Sequence, residues 1–314
     1  MQNRPLGWLA LLALFVTFAP STRVSASTPA TAPARNDYAN LTFTASLNAG
    51  FKHFYAREFK AAEASFESAL RVIPDNTLAI SFLNAAAEQQ GDLDVLTNVE
   101  EDAVSNAPRN YVDHVQLAFS YLFETDQGRD RSEDARDELN QAVALDPDAP
   151  AAHVGLGIMR FTERSANRSK TEMLAALRRD PNNVLAREYL SELYQTDLRD
   201  PERGLQYAID VPNLVPGYAD IDFHIGSLLS DLHEDDAAIG YLQKGLTLDV
   251  DHVGEAQHAY TLIARIYIDE SRFSDATREL NAAIDADVDT IYARTLLAKI
   301  KNGDYASPSP SAQE

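Results

Sequence analysis

The sequence predicts an all-α fold: a solenoid of about seven helix–turn–helix units in tandem, with one more helix closing the end. Two markers carry this reading. A residue late in the second helix of each unit recurs at Ala69, Ala103, Ala142, Ala176, Val211, Gly245 and Ala283. A closing residue recurs at Pro74, Pro108, Pro147, Pro181, Pro216, Val250 and Val288. Both series advance by the same steps of 34, 39, 34, 35, 34 and 38 residues. Two markers that keep step over seven units define a repeat, where one motif match would not.

The residue types have physical reasons. Small residues on first helices (Gly50, Ala118, Gly157, Gly226, Ala264) let the second helix approach closely. The late small residue of the second helix does the same for the next unit. Large apolar residues fill the spaces between: Leu83, Leu117, Leu156, Leu190, Ile225 and Ile263 on first helices, and Phe66, Leu139, Met173, Leu242 and Leu280 on second helices. Antiparallel helices need this alternation of large and small residues to reach interior density. The closing proline cannot continue a helix and separates one unit from the next.

Phe43–Asn76 is the most regular unit, with Gly50, Phe59, Ala62, Phe66, Ala69 and Pro74 in order. This ladder, with its period near 34 residues, resembles the tetratricopeptide repeat (TPR) family. The resemblance covers Phe43 to about Thr290. It implies a right-handed α-α superhelix in which first helices line a concave groove and second helices lie outside. Seven units would come close to one superhelical turn.

The departures are local. The third unit carries extra residues in Thr125–Ser132, read as a polar loop between its helices. The fourth has a polar turn over Glu163–Lys170. In the fifth, Gly204 stands where alanine is expected, Asp200-Pro201 begins a helix well, and Pro212 should end that second helix about a turn early. Slack before the seventh unit, Asp251–Ala256, could lengthen its first helix. Thr290–Lys301 reads as an amphipathic capping helix stopped by Asn302-Gly303.

The ends divide the chain further. Met1–Pro5 carries one cation, Arg4, and Leu6–Ala19 is continuously apolar. Val24-Ser25-Ala26 then fits a small-residue cleavage site, so residues 1–26 read as a signal peptide. The apolar run is shorter than the ~20 residues that span a bilayer. Residues 27–42 read as a disordered tether, 43–302 as the solenoid with its capping helix, and 303–314 as a disordered tail. The expected location is periplasmic or secreted, without membrane insertion.

The 314 residues carry 48 Asp plus Glu against 27 Lys plus Arg, a formal net charge of −21. A field of that sign repels nucleic acid and favours basic partners, and it also keeps a solenoid soluble. There is no cysteine, which excludes disulfides, thiol nucleophiles and thiolate metal sites. No phosphate loop, serine elbow or paired His-Glu-His helix occurs. No catalytic residue, metal or cofactor is assigned, and the protein reads as a non-enzyme. His53, His114 and His153 fall near packing positions. His252 and His258 with Asp249, Asp251 and Glu255 form a ligand-rich stretch that a polar loop explains equally well.

Groove positions implied by the family place Phe51, Phe54 and Tyr55 in the first unit, Phe119 and Phe123 in the third, and Phe161 in the fourth. The second unit is small and polar there, with Glu88 among its residues. Glu188 and Glu192 open an acidic second half. The family's usual carboxylate clamp is missing, since Leu47, Phe51 and Ala85 occupy its positions. The expected partner is a protein or peptide with apolar anchors and basic flanks. The aromatics could instead pack against neighbouring helices or the tether. Self-association into a dimer without a separate ligand is the alternative function.

Overall fold

The computed structural model describes residues 36–249, 251, 256–286 and 290–305. Among these, all regular structure is helical. Seven antiparallel pairs follow in order: α1 (Leu41–Tyr55) with α2 (Phe59–Leu70), α3 (Thr77–Gln90) with α4 (Leu93–Asn106), and α5 (Tyr111–Asp126) with α6 (Ser132–Leu145). Next come α7 (Pro150–Thr162) with α8 (Ala166–Arg179) and α9 (Val184–Thr196) with α10 (Pro201–Ala208) and the one-turn α11 (Val211–Leu214). The series ends with α12 (Ala219–Asp231) and α13 (Asp235–Leu248), α14 (Ala256–Asp269) and α15 (Phe273–Asp285), and the cap α16 (Thr290–Asn302). This is the repeat number and the capping helix expected from the spacing.

The helices begin and end for local reasons. Asn40, Asn76, Asn110 and Asn183 cap α1, α3, α5 and α9 through their side chains, and Asp200 caps α10. Each intra-pair turn uses one left-handed residue: Arg57, Gly91, Gly128, Arg164, Arg199, His233 and Ser271. Only two of these seven are glycine, so five turns bear a Cβ where glycine would be unstrained.

The small positions work as expected. A Cβ on Gly50 would meet the Phe66 ring at 2.4 Å, one on Gly157 would meet Met173 Cε at 2.7 Å, and one on Gly226 would meet Leu242 Cγ at 2.6 Å. In each case the small residue of the first helix abuts the residue sixteen positions later. Gly204 is explained too, because a Cβ there would lie 2.9 Å from the Ser191 backbone oxygen. The α10–α11 break follows from Pro212, as expected.

Three local expectations need correction. The polar stretch of the fourth unit is only a three-residue turn, because α8 starts at Ala166. The loop of the third unit spans 127–131 and is pinned in place. Arg129 pairs with Asp94, Arg131 with Glu101 and Asp134, and both approach the buried Glu124. The Arg131 guanidinium also covers the Tyr121 ring at 3.9 Å. Of the proposed tether 27–42, residues 36–42 are described, and they are structured: Asp37–Ala39 form a 3₁₀ turn and α1 starts at Leu41. The proposed leader, residues 252–255 and most of the tail lie outside the described residues. Among the described residues no helix is long and apolar enough to cross a membrane.

The second unit breaks the small–large rule with polar residues. Asn84 stands at the small position and Glu100 at the large one, and both are buried. Ser120 Oγ lies 2.6 Å from Asn84 Oδ1 and 2.5 Å from Glu100 Oε2. Asn84 Nδ2 donates to the Ile80 carbonyl, which fixes Oδ1 as an acceptor. Ser120 has one proton for two acceptors. The arrangement closes if Glu100 is protonated and donates to Ser120, which then donates to Asn84. Burial independently raises the Glu100 carboxyl to about 8, with the Ser120 hydrogen bond opposing it.

Two outcomes are expected. The folded state holds the Glu100 proton up to about pH 8, whereas an unfolded glutamate loses it near pH ~4.3. Stability from this site is therefore complete at acidic pH and declines as pH rises through that window. Glu100→Gln should flatten that decline and raise the melting temperature at pH 8.5 by about 2 °C or more, read by circular dichroism. Separately, His233→Gly should stabilise the fold by roughly 0.5–1 kcal/mol in urea unfolding, by relieving the left-handed residue.

Candidate functional site

The concave face was the expected binding surface, and the superhelix curls far enough to close part of it. The first unit meets the start of the sixth and the segment before the seventh across the axis. Phe51 stacks on Tyr218 with centroids 5.4 Å apart and planes 19° apart. Tyr55 Oη accepts from the Ala219 N–H at 3.2 Å, and the Tyr55 carbonyl accepts from Asp251 N–H at 3.2 Å. Arg57 Nε donates to the Asp251 carbonyl. These contacts join residues 164 and 194 positions apart.

The aromatic strip therefore divides. Phe51, Phe54, Tyr55 and Phe119 are interior, each at most 4% exposed. Phe51 and Phe54 pack edge-on against Phe82 of α3, at 4.8 and 5.0 Å. At these four positions the packed arrangement holds, because neighbouring first helices and the Tyr218 segment supply the partner surface. The segment before α1 contributes as well: Tyr38 packs edge-on against Phe43, and Asn76 Nδ2 donates to Asp37.

Phe123, Phe161, Glu188 and Glu192 are half-buried. Glu188 accepts from the Tyr218 hydroxyl at 2.7 Å, which ties it to the closure. Phe161 packs edge-on against Tyr189 at 5.3 Å. Tyr189 is held well above its ordinary pKa by burial and then by the charges of Glu192, Glu188 and Asp126. Burial and the nearby Asp126 raise Glu88 to about 7, and Glu88 Oε2 has no hydrogen-bond partner. Asp126 reaches solvent, yet the surrounding concavity still raises it to about 6.

Glu88, Asp126, Phe161 and Glu192 sit in the C-terminal halves of α3, α5, α7 and α9. Helix C-termini carry partial negative charge and ordinarily attract cations. Here the last turns of α3, α5, α9 and α12 hold no basic residue, and Arg160 at the end of α7 is paired with Glu163. Dipoles and carboxylates thus add at one open mouth. A cavity of about 170 Å³ adjoins it, lined by Leu122, Ile158 and Met159 together with Asp126, Thr162 and the ion pair of Arg136 with Glu163. Asp126 and Tyr189 were not among the residues singled out from the sequence. Asp126 lay in a stretch read as loop, and Tyr189 lies off the family's groove positions.

The remaining polar pairs are structural. His114 lies 3.1 Å from the Pro108 carbonyl and 2.5 Å from Glu138; His153 repeats the arrangement with the Pro147 carbonyl and Glu172. Arg187 Nε donates to the Pro181 carbonyl in the next unit. Ser191 Oγ lies 2.8 Å from His224 Nε2, but Ser191 is fully buried and its hydroxyl donates to the Gly204 carbonyl. Burial lowers the His224 imidazole to about 4. No group of His, Asp and Glu suited to a metal occurs among the described residues.

If the Phe51–Tyr218 contact closes the ring, Tyr218→Ala should destabilise the fold by roughly 3 kcal/mol or more. It should also increase the radius of gyration in small-angle scattering, while helix content by circular dichroism stays constant.

No family model matches the sequence, and no curated protein matches it. Solved structures do resemble its shape. PilF of Pseudomonas aeruginosa superposes with a TM-score of 0.56 at 15% identity, over 72% of this chain and 98% of that one. The human IFIT1 dimer with m7Gppp-AAAA gives 0.58 at 15% identity, over 79% of this chain and 60% of that one. YrrB, a TPR protein with an unusual peptide-binding site, gives 0.49 at 20% identity, over 63% and 96%. These similarities concern the fold. With seven helix pairs in register with the sequence markers, this chain has the fold of a tetratricopeptide-repeat solenoid.

Proposed function

We propose that the protein is a non-enzymatic interaction scaffold that binds a protein segment at the open mouth of its concave face. The carrying observation is the joint placement of Glu88, Asp126 and Glu192 with Phe161, Tyr189 and the small apolar cavity. An apolar anchor fits the cavity, and basic flanks complement the carboxylates and the aligned helix C-termini. Phe123 and Phe161 belong to this surface. Phe51, Phe54, Tyr55 and Phe119 support it from beneath. The same acidic surface disfavours nucleic acid, whose phosphates it would repel. The apolar segment Leu6–Ala19 supports an envelope location, periplasmic or secreted.

The test is fluorescence anisotropy with labelled peptides that carry one large apolar residue between lysines. Binding should weaken as salt rises from about 50 to 300 mM. Asp126→Lys should weaken it about tenfold or more, a loss near 1.4 kcal/mol. Equal binding by the variant, or no binding of any such peptide, would overturn the proposal.

A further inference from the structure

The mouth asks for an apolar anchor beside cations, and one helix of this chain offers that combination. Among the described residues the exposed large apolar side chains are Leu41, Val95, Val99, Leu145, Ile291 and Tyr292. Leu41 lies between Asn40 and Thr42. Val95 and Val99 share α4 with Asp94, Glu101 and Asp102, and Leu145 precedes Asp146. Ile291 and Tyr292 stand on α16, which carries Arg294, Lys299 and Lys301 and no Asp or Glu within its bounds, with Asp289 before it and Asp304 after it in sequence. That is a helix of formal charge +3 in a chain of −21. Helix α8 is also cationic, but none of its large apolar residues is exposed and its Arg179 pairs with Asp148.

The other face of α16 is committed. Ala293, Leu296 and Leu297 are buried in the core, and the helix packs on α15. Its position is thus fixed while Ile291, 75% exposed, and the three cations face outward. Opposite charge on two separate surfaces of one chain favours association between copies, and screening by salt weakens it.

Resting on the mouth as the binding site, we propose that its occupant is α16 of a second copy, docked head to tail. Ile291 enters the apolar cavity beside Leu122 and Ile158, and the α16 cations face Glu88, Asp126 and Glu192. The mouth is built by the second to fifth units and α16 lies beyond the seventh. Docked head to tail, the contact is heterologous and leaves a free mouth and a free α16 at the two ends of each assembly; a reciprocal pair would instead close as a dimer.

Sedimentation velocity on the purified protein tests this. The protein should form concentration-dependent oligomers at about 50 mM salt that dissociate at about 500 mM. Asp126→Lys, which spoils the mouth, and Ile291→Asp with Lys299→Glu, which spoils the tail, should each be monomeric. An equimolar mixture of the two variants retains one good mouth and one good tail, and should form a dimer and nothing larger. A monomeric parent protein, a closed dimer of fixed size, or variants that associate like the parent would each overturn the proposal. Association appearing only after removal of residues 306–314 would also overturn it, by making the chain's own tail the occupant. Anisotropy with a labelled peptide of residues 290–302 separates the two readings. If other basic–apolar peptides bind in an Asp126-dependent way while this one does not, self-docking fails and the binding site stands. If none binds, the site itself fails.

Discussion

The structure depends on one contact made over and over: a small residue on the first helix of a pair against the residue sixteen positions later on the second. Gly50 against Phe66, Gly157 against Met173 and Gly226 against Leu242 set how closely each pair approaches. Interiors are packed to crystal density, so a fixed approach distance also fixes the crossing of the helices. A small rotation per unit then accumulates along the chain. By the sixth unit it has carried Tyr218 round onto Phe51. The closure is thus a sum of local contacts, completed by long-range hydrogen bonds to Tyr55.

Where that contact changes chemistry, the fold keeps its geometry by other means. In the second unit Glu100 and Asn84, joined through Ser120 of the third, replace the apolar side chain against glycine with a hydrogen-bonded line. In the fifth, Ser191 at the small position turns its hydroxyl onto the Gly204 carbonyl, and Gly204 has lost its Cβ to allow the approach. Buried polar groups are tolerated only when satisfied, and both sites meet that requirement.

The architecture was legible because packing constraints repeat: seven pairs, the capping helix, the Pro212 break and the glycine roles follow from spacing and side-chain size. The site was less legible because exposure is a property of the closed ring, not of one unit. Phe51 and Phe119 occupy groove positions on their own helices, yet α3 and the Tyr218 segment cover Phe51 from a distance in sequence that no periodicity reports. Asp126 was hidden by reading the end of α5 as loop. A signal for Glu100 was available: it alone is acidic at a position that holds Phe66, Leu139, Met173, Leu242 and Leu280 in other units. The left-handed turn residues gave no signal, since five of seven are ordinary side chains.

The raised carboxyls have a wider consequence. Buried Glu100 keeps a proton in the folded chain that it gives up when unfolded, and burial shifts half-buried Glu88 in the same direction. Near neutral pH, folding of this chain is therefore a reaction that takes protons from the buffer. The formal charge of −21 belongs to the fully ionised chain, and the folded molecule is less negative. What the solenoid retains of that charge is gathered at its surface, while Glu100 in its core is held neutral by burial.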